Sequence, residues 1–261
     1  MASNSVSVWL LRLDRSSADR RAALVRFGAL LDDAERRRAL SYVDEHASIQ
    51  YIFGRALLQM MLRHHLPANA YPIDAGRCQL SIAAAGKPAL AAPFDRSGMQ
   101  FNLSHSGLSV ICAMASRRQL GVDIEARARE VDFDEIAARH FATGESAAIR
   151  SAAGQSKQER FFYYWTLKEA YLKAKGTGIA GGLHDVSFVP QRDGTILLRD
   201  TGDVGADDAW GFSVFDLFPD CQAALCWQRR SSCFSPGIEL RIMDGRELGV
   251  IAGQSRPELA C

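Results

Sequence analysis

No Cys-x-x-Cys pair occurs among the six cysteines, Cys78, Cys112, Cys221, Cys226, Cys233 and Cys261. Their scatter excludes a zinc-ribbon spacing and offers no disulfide framework, so structural thiols in a reducing compartment are expected. The six histidines are equally dispersed, and the adjacent His64 and His65 would point to different sides of a helix. Charge of one sign is lacking too: 31 Lys and Arg face 30 Asp and Glu, for a formal net charge of +1. No global field therefore recruits nucleic acid or an anionic membrane, and any handling of anions must be local. No uninterrupted apolar run approaches the length needed to cross a bilayer, and residues 1–8 carry no basic segment followed by an apolar stretch. A soluble, cytoplasmic protein is expected. Short-period repeats and a G-x-S-x-G nucleophile elbow are also missing.

What is present is enough apolar material for a substantial core: 48% of 261 residues, in one large domain or two small ones. A strand is expected over 6–13. A helix capped by Asp32 or Asp33 follows to about His64, with Phe53, Ala56, Leu57, Met60 and Met61 as its apolar stripe, and Pro67 closes it. Residues 73–100 read as loop. Strands are expected over 99–104, 109–115 and 119–125, then helices over 134–141, 143–153 and 157–175. Strand patterns return at 183–189, 195–198, 210–217 and 221–227. The class is α+β, divided into residues 1–119 and 120–261, with a loosely organised tail from about Arg229.

Three segments carry chemistry. In Gly121-Val122-Asp123-Ile124-Glu125 a period of two sends both carboxylates to one face. They are either a pair of oxygen ligands or an ordinary solvated strand face. Trp165, Glu169 and Lys173 share one helical side at i, i+4 and i+8, which equally describes a surface Glu-Lys pair. Phe101-Asn102-Leu103-Ser104-His105-Ser106 ends a strand in small polar and imidazole groups that can bind phosphate oxygens; the alternative is a satisfied turn histidine. Adjacent residues on an extended chain point apart, so this is not a Ser-His hydrolase element.

In order, Gly86-Lys87-Pro88, F-N-L-S-H-S, G-V-D-I-E and W-T-L-K-E-A-Y-L-K-A-K-G-T-G-I, which ends at Ile179, resemble the 4′-phosphopantetheinyl transferases of the large, monomeric surfactin-synthetase-activator type. The motifs span residues 86–179, and the flanking pattern extends the likeness over roughly 6–228. The resemblance implies two similar α/β halves related by a pseudo-twofold, with the active site in the cleft between them. It implies transfer of 4′-phosphopantetheine from coenzyme A to a serine of an apo-acyl or peptidyl carrier protein. Magnesium would be bound by Asp123, Glu125 and Glu169. Glu169 would be the base, directly or through water, and Lys173 the group that offsets diphosphate charge, with Lys168 supporting it.

By the same resemblance Ser104 and His105 contact nucleotide phosphates, Lys87 lies beside the adenine nucleotide, and Arg38, helped by Arg36 or Arg37, reaches the 3′-phosphate. The chain departs from the family at Gln50, where an arginine is often found; Arg55 is an imperfect substitute. Arg36 to Arg38 read equally as a solvated helix face. Residues 131–160, with Phe133, Ile136, Phe141 and Ile149, are a candidate carrier-docking surface, although they also suit amphipathic packing. Two other functions fit the same residues: a metal-dependent hydrolase of a nucleotide diphosphate, and a non-catalytic coenzyme A-binding module.

Overall fold

The computed structural model describes residues 4–13, 20–66, 78–82, 88–128, 131–178, 182–203, 205–230 and 235–244. Strand β1 (Ser5–Arg12) is apolar on both faces because it has an apolar layer on either side: Val6, Val8 and Leu10 enter one core, Trp9 and Leu11 another. It is followed by α1 (Arg20–Phe27), α2 (Asp33–Ser41), the long α3 (Glu45–His65) and a short ribbon, β2 (Leu80–Ile82) with β3 (Pro88–Leu90). The hairpin β4 (Met99–Ser106) and β5 (Ser109–Ser116) then completes a sheet in which β5 pairs antiparallel to both β1 and β4.

A second series has the same plan. Strand β6 (Leu120–Ala126) leads through α4 (Phe133–His140) and α5 (Thr143–Arg150) to the long α6 (Gly154–Lys175). The ribbon β7 (Val186–Pro190) and β8 (Ile196–Asp200) follows, then α7 (Ala206–Ala209) and the hairpin β9 (Trp210–Phe218) and β10 (Cys221–Gln228). The strand orders correspond: β1-β5-β4 in the first sheet, β6-β10-β9 in the second.

The two sheets face one another across a core of Val6, Val8, Leu10, Ile111, Ala113, Val122, Ile124, Ala223 and Leu225. Helix α3 covers the outer face of the first sheet, and α6 that of the second. The result is four layers, helix on sheet on sheet on helix. Cys78, Cys112, Cys221 and Cys226 are free and buried, while Cys233 and Cys261 lie outside the described residues. No helix among the described residues is long and apolar enough to cross a membrane.

Two expectations are corrected. The single helix expected from Asp32 to His64 is broken at Tyr42, whose backbone is extended (ψ 127°), because a second cap competes: the Asp44 carboxylate accepts from the His46 amide at 2.9 Å. Such a cap contributes about 1 kcal/mol, enough to end one helix and start another. The chain beyond Arg229 is not uniformly loose, since β11 (Gly237–Asp244) runs parallel to β1 along the outer edge of the first sheet. The last strand thus returns to the sheet built by the first residues, across the division at 119/120. Pro67 lies outside the described residues.

At the C-terminal end of α3 His65 lies near the Trp9 ring (6.3 Å), and its Nε2 is buried without a hydrogen-bond partner. Burial, and then the neighbouring His64, lower its pKa to about 4. The fold accepts the neutral ring, so its stability is intact above the unfolded value near 6.5 and falls as pH drops from about 6.5 to about 4. Urea unfolding across that range should show a loss of about 1–2 kcal/mol after allowance for partial solvent access, and His65→Phe should flatten it. An unchanged slope in the variant would assign the acid sensitivity elsewhere.

Candidate active site

The sequence pattern of β6 is realised in the structure: Leu120, Val122 and Ile124 enter the core between the sheets, while Gly121, Asp123 and Glu125 face α6. Gly121 sets how near the helix can come. A Cβ there would overlap the Ala170 carbonyl oxygen and lie 2.5 Å from the Ala174 nitrogen, so only glycine allows the backbones this approach. The next residues with the same orientation, Asp123 and Glu125, are thereby pressed against the flank of α6 that carries Lys173, Glu169 and Trp165.

The three acids converge. Asp123 is 3% exposed, and its Oδ1 accepts from Lys173 Nζ at 2.6 Å and from Ser104 Oγ at 2.8 Å. Glu125 Oε2 accepts from Ser106 Oγ at 2.8 Å. Burial pushes the Glu169 carboxyl up to about 7; Asp123 and Glu125 add to the rise and Lys173 opposes it. Glu125 is also raised, by burial first and Asp123 second, against hydrogen bonds from Ser106 and Trp165.

Among the described residues no three His, Cys, Asp or Glu side chains stand ready to hold a metal ion, and Lys173 already engages Asp123 Oδ1. The donor chemistry nevertheless fits magnesium. Asp123 Oδ2 and Glu169 Oε1 are buried with no hydrogen-bond partner, and such oxygens are costly to leave bare but are the ligand type this cation prefers.

Comparison with known proteins decides the family. The chain is 34% identical over 228 residues to the 4′-phosphopantetheinyl transferase HetI of Nostoc sp., covering 86% of this chain and 88% of that protein. The chain belongs to the 4′-phosphopantetheinyl transferase superfamily. Residues 119–226 match that superfamily's model, and the transferase Sfp of Bacillus subtilis is 26% identical over 67% of this chain and 73% of its own. A holo-(acyl-carrier-protein) synthase from Bacillus anthracis, solved in complex with coenzyme A, is 22% identical over 43% of this chain and 96% of that one, with a TM-score of 0.37.

The remaining expected site residues of this transferase divide. Ser104 faces β6, whereas His105, next along β4, lies on the opposite strand face and is exposed. Enough protein surrounds the His105 ring that desolvation, followed by Lys173, lowers its pKa. Arg38 is exposed, its guanidinium 5.3 Å from the centre of the Tyr51 ring. Arg36 Nε donates to the Gly28 carbonyl at 2.9 Å and ties down the turn before α2. Gln50 is buried and donates to the Gly107 carbonyl at 2.7 Å, so it anchors the β4–β5 turn beside His105. Arg55 is paired with Glu35 in a half-buried ion pair, which turns one side of its guanidinium toward protein. Lys87 lies outside the described residues.

Two expectations fail. Lys168 does not support the acidic site: it is 0% exposed and paired with Glu145 at 2.8 Å, and it donates to the carbonyls of Leu183 and Val186. One step along a helix rotates about 100°, so the neighbour of Glu169 faces a different layer. Phe141 and Ile149 cannot dock a carrier, because both are buried in a core with Phe161 and Phe162; Phe133 and Ile136 are half-buried at its rim. Ser106, expected among groups that can bind phosphate oxygens, donates to Glu125 instead, and Asn102, which the sequence did not single out, joins it on the same side of β4, as the alternation with Phe101, Leu103 and His105 allows.

Burial moves the Glu145 carboxyl up and the Lys168 ammonium down, each opposed by the other's charge. Lys168→Met, which strands the carboxylate, should cost about 3–5 kcal/mol in urea unfolding, and adding Glu145→Leu should recover much of it. Unchanged stability with weakened coenzyme A binding would return Lys168 to the nucleotide.

Proposed function

We propose that this transferase moves the 4′-phosphopantetheine arm of coenzyme A onto a serine hydroxyl of an apo-acyl or peptidyl carrier protein and releases adenosine 3′,5′-bisphosphate. The observation that carries the reading is the meeting of Asp123, Glu125, Glu169 and Lys173, from two separate elements, at the seam between the sheets. The matching strand orders of the sheets support two halves related by a pseudo-twofold, with the site where they join.

Asp123, Glu125 and Glu169 would hold magnesium, which when bound supplies positive charge to the diphosphate of coenzyme A. The serine oxygen attacks the phosphorus that carries pantetheine, and the bond to the bridging diphosphate oxygen breaks. Glu169, with Oε1 free of hydrogen bonds, takes the serine proton directly or through one water. Lys173, whose Nζ lies at the seam on Asp123 and Ser104, offers a cation and a proton to the departing phosphate. His105 and Lys87 contact the nucleotide phosphates and adenine nucleotide, and Arg38 reaches the 3′-phosphate. With Gln50 anchoring a turn, that last contact relies on the exposed Arg37 and Arg38 of α2.

Incubation with coenzyme A and a divalent cation, with and without an apo-carrier, tests the reaction by intact mass. The carrier should gain one phosphopantetheine, and nucleotide should appear only when carrier is present; release without carrier would mark a hydrolase, and binding without turnover a coenzyme A-binding module. Glu169→Gln should lower kcat by roughly 10²–10⁴-fold with the fold retained. Asp123→Ala should likewise lose most transfer, and normal turnover in either variant would refute the metal and base assignment.

A further inference from the structure

Strand β6 pairs with β10 on one side; on the other it meets β4, and among the described residues no strand ladder joins those two. Side chains close the seam instead. Phe101 and Leu103 of β4 turn toward the core under α3, which leaves Asn102, Ser104 and Ser106 directed at β6. Each meets a different point along that strand. Asn102 Oδ1 accepts from the Val122 amide at 2.9 Å, Ser104 Oγ donates to Asp123 Oδ1 at 2.8 Å, and Ser106 Oγ donates to Glu125 Oε2 at 2.8 Å.

The two hydroxyls are not free rotors. A serine hydroxyl has one proton to give, and an incoming donor restricts where it can go. Ser104 Oγ receives the Lys173 ammonium at 2.9 Å, and Ser106 Oγ receives the Ala126 amide at 3.0 Å. Each hydroxyl is therefore left to aim its proton at a carboxylate. In Asp123 this occupies Oδ1, while Oδ2, also buried, has no partner. The same arrangement fixes which oxygen of the acid is spent on protein and which is offered.

We propose that Ser104 and Ser106, held in register by Asn102, are positioning residues that orient the metal-binding carboxylates Asp123 and Glu125. The first half of the chain thus sets the geometry of ligands that belong to the second. This inference rests on the reading of Asp123 and Glu125 as metal ligands. It also gives Ser104 a role that does not require contact with the nucleotide.

Ser106 offers the cleaner test, because it touches Glu125 and the Ala126 amide without touching Lys173 in the contacts described. Mn2+ would be titrated into the full-length protein saturated with coenzyme A, with the free-ion EPR signal as readout and a coenzyme A blank subtracted. Thermal unfolding would be measured alongside. Removal of a group that orients a metal ligand typically weakens metal affinity by about 10–100-fold, so Ser106→Ala should raise the Mn2+ Kd by about tenfold or more. Ser106→Thr, which keeps the hydroxyl, should remain within about threefold of the parent protein. In transfer assays the Ser106→Ala loss should fall on kcat at a given cation concentration and be partly restored by raising it, with the KM for carrier unchanged.

A Ser106→Ala protein that melts lower but binds Mn2+ as tightly as the parent would reduce Ser106 to a structural clip and overturn the inference. If Asp123→Ala also bound Mn2+ normally, the failure would lie in the ligand assignment itself.

Discussion

The site depends on how closely one helix can approach one strand. Helices ordinarily stand off a sheet by the thickness of the side chains between them, and at Gly121 there are none on the strand side. That contact brings the C-terminal half of α6 down on β6. It follows that Asp123 and Glu125, two and four residues further along the same strand face, meet Lys173, Glu169 and Trp165 in reverse order along the helix. Two residues of strand rise about 6.6 Å and four residues of helix about 6 Å, so the two periodicities stay in step over this distance. The result is a concentration of like charge that burial makes more costly, as the raised pKa of Glu169 and Glu125 records.

Strand β6 and helix α6 do not meet that cost by themselves, and the surrounding layers offset it. The core between the sheets secures the inner face of β6 through Leu120, Val122 and Ile124, and the core under α6 secures the helix through Leu167, Ala170, Tyr171 and Ala174. The fully buried Lys168–Glu145 pair ties α6 to α5 and to the chain entering β7. Charge is balanced in this chain as a whole, with a net of +1, but it is not evenly spread. Acids gather at the seam, and Lys173 is placed against them.

Legibility in the sequence followed the range of the interaction. The period of two in residues 121–125 and the shared helical side of Trp165, Glu169 and Lys173 are local, and both faces turn as expected. The cap at Asp44 is equally local, but the apolar stripe that marks the helix, Phe53 to Met61, lies wholly beyond Tyr42 and carries no sign of the break. Strand β11 was passed over for another reason: Ile238, Leu240 and Ile242 do alternate with Glu239 and Arg241, but the strand sits in a stretch rich in Ser, Gly and Arg and its partner β1 lies more than two hundred residues away. Lys168 misled because adjacency in sequence was taken for adjacency in space, where helical rotation separates it from Glu169. Phe141 and Ile149 misled because an apolar helix face looks alike whether its neighbour is a partner or, as here, Phe161 and Phe162 of the same chain.

The placement of the acids between two sheets rather than within one has a physical logic. Strand edges expose unpaired backbone groups and are usually protected by charge, irregularity or a covering element. Here β4 is the edge of one sheet and β6 the edge of the other, and they confront each other. Direct ladder pairing would merge the sheets and commit both backbones to each other. Bridging by Asn102, Ser104 and Ser106 instead satisfies selected groups and keeps a polar strip between the strands, where carboxylates can be held without being consumed by backbone bonding. An apolar residue at any of these three positions would fill the space but orient nothing. The alternation in F-N-L-S-H-S is therefore best understood as two surfaces on one strand: Phe101 and Leu103 pack β4 under α3, and the small polar residues between them face across the seam.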